Sequence, residues 1–326
     1  MIITQTPFRM SFFGGGTDYE GFYKEHGGAV ISTTFNKYCY VNIRRLPHFF
    51  DYSSQLVYST IERVKDLDEI KHPLMREAMK FMKMNDLHMI YDADLPARSG
   101  LGTSSSFAVG MLNAMYALHG KYVDKKQLAK DAIYLERVLC NESGGIQDQI
   151  AAAFGGFNRI NFDAEGFSVN PIVISKERKK QLNDNLMLFF TGFTRYSHEV
   201  AASQAKATKD KTAQLKEMLT LVDEAEKILV TDTSLNEFGK LLDYTWKLKR
   251  GLTSSISTDS IDMIYEKAMK AGALGGKLLG AGGGGFFVFY VEKEKQASVH
   301  EALKELMYVP FEFESEGTRI NYFRGE

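Results

Sequence analysis

The residues best suited to chemistry lie in Pro96–Ser106, PARSGLGTSSS, where a glycine-rich turn meets a run of hydroxyls. His88–Asp94 before it alternates as a strand does. After it Phe107, Met111, Leu112, Met115 and Leu118 recur at three and four, a helix that Gly120 should stop. A strand, a glycine loop and a helix N-terminus make a phosphate site: free N–H groups point outward and the helix dipole favours an anion. Glycine lets the backbone come close. Thr103, Ser104, Ser105 and Ser106 can cap those N–H groups, bind phosphate oxygens or ligate Mg²⁺. The plainer alternative is a capped helix after an ordinary turn, yet one N-cap needs only one hydroxyl. The P-loop pattern G-x-x-x-x-G-K-[ST] is absent. Gly280-x-Gly282-x-x-Gly285 matches a dinucleotide fingerprint by letter, but it follows a helix-like segment (Ile261, Ile264, Ala268, Ala271) and precedes the strand Phe286–Val291. That fingerprint needs strand first and helix second, so a dehydrogenase reading fails.

Glu136 is the acid that stands out by position. On its helix it shares a face with Ala129, Ala132, Ile133 and Cys140. A carboxylate on an apolar face needs a metal or a paired base. Arg195, Lys247, Lys249 and Arg250 are candidates for an anion clamp, with a solvated surface as the alternative for each. Trp246, the single tryptophan, reads as a packing residue rather than a base-stacking one.

These residues need positioning elements. Val30–Ile43 carries alternating β-formers, Asp124 with Gln127 resembles a capping box opening a helix through about Leu139, and Phe157–Phe162 reads as a strand after Gly155-Gly156. Ser175–Gln181, charged and without glycine, is the expected linker. It divides the chain into domains 1–176 and 177–326. The second opens with the strand Leu186–Thr191 and continues with polar helices to Arg250. A helix, the glycine loop, a strand, a helix near Ala297–Met307 and strands at Pro310–Glu314 and Arg319–Phe323 follow, an α+β pattern.

With 326 residues, 44% hydrophobic and 25% charged, the composition is that of an ordinary globular chain of two domains. A net charge of −1 provides no global field for nucleic acid or membrane, and neither is expected as a partner. Cys39 and Cys140 form no metal spacing or disulfide framework, and no apolar stretch reaches membrane-spanning length. MIITQTPFRM does not read as a signal peptide, and the cysteine usage fits a reducing cytoplasm, the expected location.

Three segments in order resemble the GHMP kinase family: Pro7–Tyr19 (PFRMSFFGGGTDY), Pro96–Ser106, and Lys277–Gly285 (KLLGAGGGG). The resemblance covers essentially the whole chain. It implies an S5-like N-terminal domain and a ferredoxin-like C-terminal domain, with the site in the cleft between them. It implies ATP phosphates on Ser99, Gly100, Leu101, Gly102, Thr103, Ser104, Ser105 and Ser106, and Mg²⁺ on Ser104 and Glu136. Asp148 matches the family's catalytic aspartate, which orients or deprotonates the accepting hydroxyl, and Arg9 the basic residue that steadies the transferring charge. Asp18 matches a sugar-hydroxyl acceptor, with Gly15, Gly16, Thr17, Gly144, Gly145, Arg195, Gly282 and Gly283 expected on the substrate side. Gly14–Asp18 departs from the galactokinase pattern and resembles the bacterial branch that phosphorylates D-glycero-D-manno-heptose 7-phosphate at C1. Family members on unphosphorylated fucose or galactose, and sensors that bind sugar and nucleotide without transfer, remain alternatives. The oligomeric state is open, a homodimer included.

Overall fold

A computed structural model describes residues 1–97, 99–192, 211–253 and 255–325. The first sheet is built on two long strands, β1 (Ile2–Phe13) and β2 (Gly28–Arg45), paired antiparallel along their length. The C-terminal half of β2 pairs with β5 (Leu87–Ala93), which carries β3 (Ser54–Val57) and β4 (Ile61–Val64) outward; its N-terminal half pairs with β6 (Phe157–Asp163), followed by β7 (Gly166–Pro171). Pro7 interrupts the β1–β2 ladder because it has no N–H to donate, and the register shifts between Pro7 and Phe8, immediately before Arg9.

Burial alternates over Ile2–Gln5 and is continuous from Thr6 to Phe13, so this half of β1 is covered on both faces. On one face lies α3 (Thr103–Leu118), buried nearly all round as its composition requires. It sits close to β1 at Gly110, where a Cβ would press on Thr6 Oγ1 and whose carbonyl accepts from Thr4 Oγ1 at 2.9 Å. Beside it pack α4 (Lys125–Tyr134), which has Asp124 as N-cap, and α5 (Gln147–Phe154). The other face is covered by α7 (Thr212–Val230) and α8 (Asn236–Arg250): Phe238 meets Phe12 and Phe13 edge-on at 5.4 and 5.0 Å. One hydrophobic core therefore runs across both layers.

The second sheet has strand order β11-β8-β10-β9, from β8 (Leu186–Phe190), β9 (Gly275–Leu278), β10 (Phe286–Tyr290) and the short β11 (Met307–Tyr308). α8, α9 (Asp259–Lys270) and α10 (Lys293–Ala302) pack with it; Trp246, Tyr265, Phe287 and Phe289 lie in their own core.

Three sequence expectations change. Residues 176–184 are not a linker but a helix, α6 (Lys176–Asp184), capped by Ser175 and anchored by the buried Leu182. The glycine loop follows the short strand β9 rather than a helix and closes a β9–β10 hairpin. The last strands, β12 (Phe313–Glu314) and β13 (Arg319–Phe323), cross back and pair with β2 and β1, so a boundary at 176/177 leaves them on the first sheet.

Candidate active site

The loop between β5 and α3 takes its shape from two glycines. Gly100 (φ +81°) and Gly102 (φ +71°) are left-handed, and Gly102 serves as N-cap of α3. A second glycine run backs onto the first. A Cβ on Gly100 would collide with Leu279 O, one on Gly280 with Gly100 Cα, and one on Gly285 with Ser99 O. Gly280–Gly285 thus docks backbone to backbone on the 99–100 turn. Gly282 and Gly283 lie against Ile256, whose carbonyl accepts from Gly283 N–H at 2.9 Å.

The N-cap of α3 is Gly102, which has no side chain to cap with, and two hydroxyls of the Thr-Ser-Ser-Ser run turn to a carboxylate instead. Ser104 and Ser105 donate to the two carboxylate oxygens of Glu136 at 2.8 and 2.7 Å, Gln149 Nε2 donates to the same group, and Ser106 ties α3 to Pro7 O at 3.0 Å. Glu136 is 1% exposed, on a single π-helical turn (Leu135–Leu139) that extends α4. Among the described residues the ion pair open to it from sequence is not formed: its partners there are hydroxyls and an amide. Ser104 stays exposed at its edge.

Arg9 and Asp148, 139 residues apart, form a two-pronged ion pair, Nε to Oδ1 at 2.7 Å and Nη2 to Oδ2 at 2.8 Å. Arg9 Nη1 also donates to Gly100 O at 2.6 Å. The guanidinium is buried, while the Asp148 side chain keeps 23% exposure in the first turn of α5. Gly102 leaves room for this carboxylate: a Cβ there would stand 3.2 Å from Asp148 Oδ2. Arg9, Asp148 and the 99–106 loop therefore share one point.

Asp18 is enclosed. Oδ1 accepts from Gly16 N–H and Oδ2 from Gln147 Nε2, both at 2.9 Å; a Cβ on Gly145 would collide with the carboxylate. Burial pushes its pKa up, the amide from Gly16 pulls it down, and the charge on Asp148 adds to the rise. Gln147 escaped sequence reading; its Nε2 lies near Gly15, and its Oε1 is buried without a hydrogen-bond partner among the described residues. Thr17 is used by the fold, its hydroxyl on Gly14 O and Ala29 O at 2.8 and 2.9 Å. Gly144 lies on the Arg137 guanidinium, which donates to Glu142 O and Gly145 O.

The basic candidates separate. Lys247 is exposed and paired with Asp243 at 2.7 Å; Arg250 pairs with Asp262 at 2.7 Å. Arg195 lies outside the described residues. Lys249 contradicts the surface expectation: it is 4% exposed and donates to Gly280 O. The signal was present in sequence, since Phe238, Leu242, Trp246 and Lys249 share the buried stripe of α8. Lys277, quoted only as the start of a motif, is fully buried and holds the end of β1 through Ser11 O and Phe12 O at 2.7 and 3.0 Å. Trp246 packs on Phe287 and Tyr265, as the packing reading requires.

Residues 56–156 match the model of the GHMP kinases N terminal domain, and residues 221–309 that of the GHMP kinases C terminal domain. The chain belongs to the GHMP kinase family. It is 29% identical to D-glycero-alpha-D-manno-heptose 7-phosphate kinase of Campylobacter jejuni over 98% of each chain. It is 31% identical to L-fucokinase/L-fucose-1-P guanylyltransferase of Bacteroides fragilis, over 64% of this chain and 22% of that one. The crystal structure of a D-glycero-D-manno-heptose 1-phosphate kinase from Bacteroides thetaiotaomicron superposes with a TM-score of 0.81 at 23% identity, covering all of both chains. As a GHMP kinase the chain has that family's two-domain α+β fold and is a phosphotransferase with an alcohol acceptor. Among the described residues no helix is long and apolar enough to cross a membrane.

Proposed function

We propose that this GHMP kinase transfers the γ-phosphoryl group of ATP to the C1 hydroxyl of D-glycero-D-manno-heptose 7-phosphate, forming the 1,7-bisphosphate. The product would supply nucleotide-activated heptose for a surface glycan: capsule, lipopolysaccharide or S-layer. The observation that carries the chemistry is the Arg9–Asp148 fork set against Gly100 and Gly102. The likeness to the Campylobacter heptose 7-phosphate kinase over 98% of both chains supports the sugar. Phosphoryl transfer asks for positioning and charge stabilisation rather than covalent help. In this reading Ser99–Ser106 cradle the phosphates, Asp148 receives or orients the hydroxyl proton on its open side, and Arg9 fixes the Asp148 carboxylate in place and faces the developing charge. Asp18 and the Gly15–Gly16 and Gly144–Gly145 backbones bound the sugar.

Mg²⁺ would be held by Ser104 and Glu136. The residues fit a hard cation: two oxygens 2.8 Å apart, the hydroxyl at the surface and the carboxylate with no basic partner among the described residues. When bound it supplies positive charge to the phosphates. For the sugar phosphate, Lys247 and Arg250 are engaged by aspartates, which leaves Arg195 as the proposed clamp.

The test is a substrate panel with ATP: heptose 7-phosphate, heptose 1-phosphate, unphosphorylated heptose, mannose 6-phosphate, galactose and fucose. Binding energy from the remote phosphate helps place the reacting hydroxyl. A preference of about a hundredfold in kcat/KM for heptose 7-phosphate over unphosphorylated heptose is expected, about 2.7 kcal/mol of transition-state binding. Equal activity on the two, or better activity on galactose or fucose, overturns the assignment.

A further inference from the structure

The Arg9–Asp148 fork neutralises itself, and Asp18 is satisfied by N–H donors. Lys249 is different. Its ammonium has three N–H donors, and its hydrogen-bond acceptor among the described residues is one carbonyl, Gly280 O; it makes no ion pair among them. A buried cation without a carboxylate is costly to the fold, because water is lost and no opposite charge replaces it. The fold places it where an anion is expected. Gly280 lies directly on Gly100, and Gly100 O carries the third donor of Arg9. The carbonyls of the two touching glycines thus hold a guanidinium from β1 and an ammonium from α8.

We infer that Lys249 is a second catalytic cation, which binds the transferring phosphoryl group together with Arg9. Its side chain satisfies the anion's charge, and the anion relieves the cost of the buried ammonium. The location argues against a clamp for the remote sugar phosphate, since Lys249 is tied to the loop that approaches the reacting centre. The charged groups facing it are Arg9 on β1, Asp18 in the following turn, Asp148 on α5 and Lys277 on β9. Burial, with the repulsion of Arg9 behind it, pulls the Lys249 pKa down to about 8 against the opposing pull of Asp18 and Asp148. Lys277 is spoken for by the fold, its ammonium donating to Ser11 O and Phe12 O at the end of β1, and burial first and Lys249 second push its pKa down.

The inference rests on the kinase reading of the cleft but not on the identity of the sugar. It is tested with whichever acceptor the panel finds best. Because the protonated form is the active one, kcat/KM of the wild type should fall as pH rises through about 8. Lys249→Arg, charged at every accessible pH, should retain measurable turnover and lose that alkaline limb. Lys249→Met should lower kcat about a hundredfold, the size of a lost transition-state donor, with little change in acceptor KM. Calorimetry supplies a readout independent of any acceptor: Lys249→Met should weaken ATP at least about tenfold more than ADP, which lacks the γ-phosphate. A side chain that merely props the glycine loop would lower the melting temperature, weaken both nucleotides equally and leave the alkaline limb in place. That result overturns the proposal, as does near-normal kcat in Lys249→Met.

Discussion

Asp148 and Glu136 show how one residue type serves two tasks. Both carboxylates are drawn to α3 and its loop, yet Glu136 is held by two hydroxyls and an amide, one of the hydroxyls at the surface, whereas Asp148 is gripped on one side by Arg9 and open on the other. The open side is where an accepting hydroxyl can be met. Asp148→Asn keeps the shape but removes the proton acceptor and weakens the fork. A base or orienting group acts mostly in the transition state, so kcat should fall about a hundredfold or more while acceptor KM changes little. Steady-state kinetics, with the melting temperature as a control for folding, check this. A variant that keeps its turnover and loses only affinity would remove Asp148 from the proton-transfer role.

Among the elements, the contact between two glycine turns does most to define the cleft. Gly100 and Gly280 touch through their backbones, so neither loop can carry a side chain there. Gly120 supplies the comparison: it is also left-handed (φ +66°) but has open space around its missing Cβ. Gly120→Ala should cost about 1 kcal/mol from backbone strain alone and leave activity intact. Gly100→Ala carries the same strain plus a collision with Leu279 O. It should cost about 2–3 kcal/mol or more and raise the KM for ATP at least about tenfold, because the cradle itself must move. Thermal unfolding and ATP titration of the pair check this, and equal behaviour of the two variants would mean the loop contact is dispensable.

The molecule as a whole unfolds as one body if its shared core counts for more than its two sheets. Phe238 on α8 packs on Phe12 and Phe13 of β1, and the C-terminal segment returns through Phe311 and Phe313 to the first sheet. Thr318 then bonds Thr6, and its N–H bonds Ala152 O on the Asp148 helix. Phe311, buried against Phe35, is the cleanest probe. Phe311→Ala should destabilise by about 3–5 kcal/mol, the usual cost of a buried aromatic, and shift a single calorimetric transition rather than split it. Two separate transitions, with only one moved, would show that the tail belongs to an independent unit.

Much of this was legible in the chain because its causes are local. Glycine punctuation, a strand before and a helix after Pro96–Ser106, the Asp124 cap and the apolar stripe beneath Glu136 depend on dihedral preference and on a period of 2 or 3.6, which a short window contains. Family resemblance added Arg9 and Asp148 as separate residues. Their fork required a 139-residue loop to close, and no window holds that. The same limit explains β12 and β13: a strand's propensity is local, but its choice of sheet is a pairing decision made by distant edges. Ser175–Gln181 read as a linker because its charges are visible and its anchor, Leu182, is a single apolar residue whose burial only tertiary packing reveals. Lys249 is the sharpest case. Its place on the apolar stripe of α8 was readable, but a lysine there ordinarily extends its ammonium to water. The glycine loop folding over it closes that route and turns a surface charge into a buried one beside Arg9.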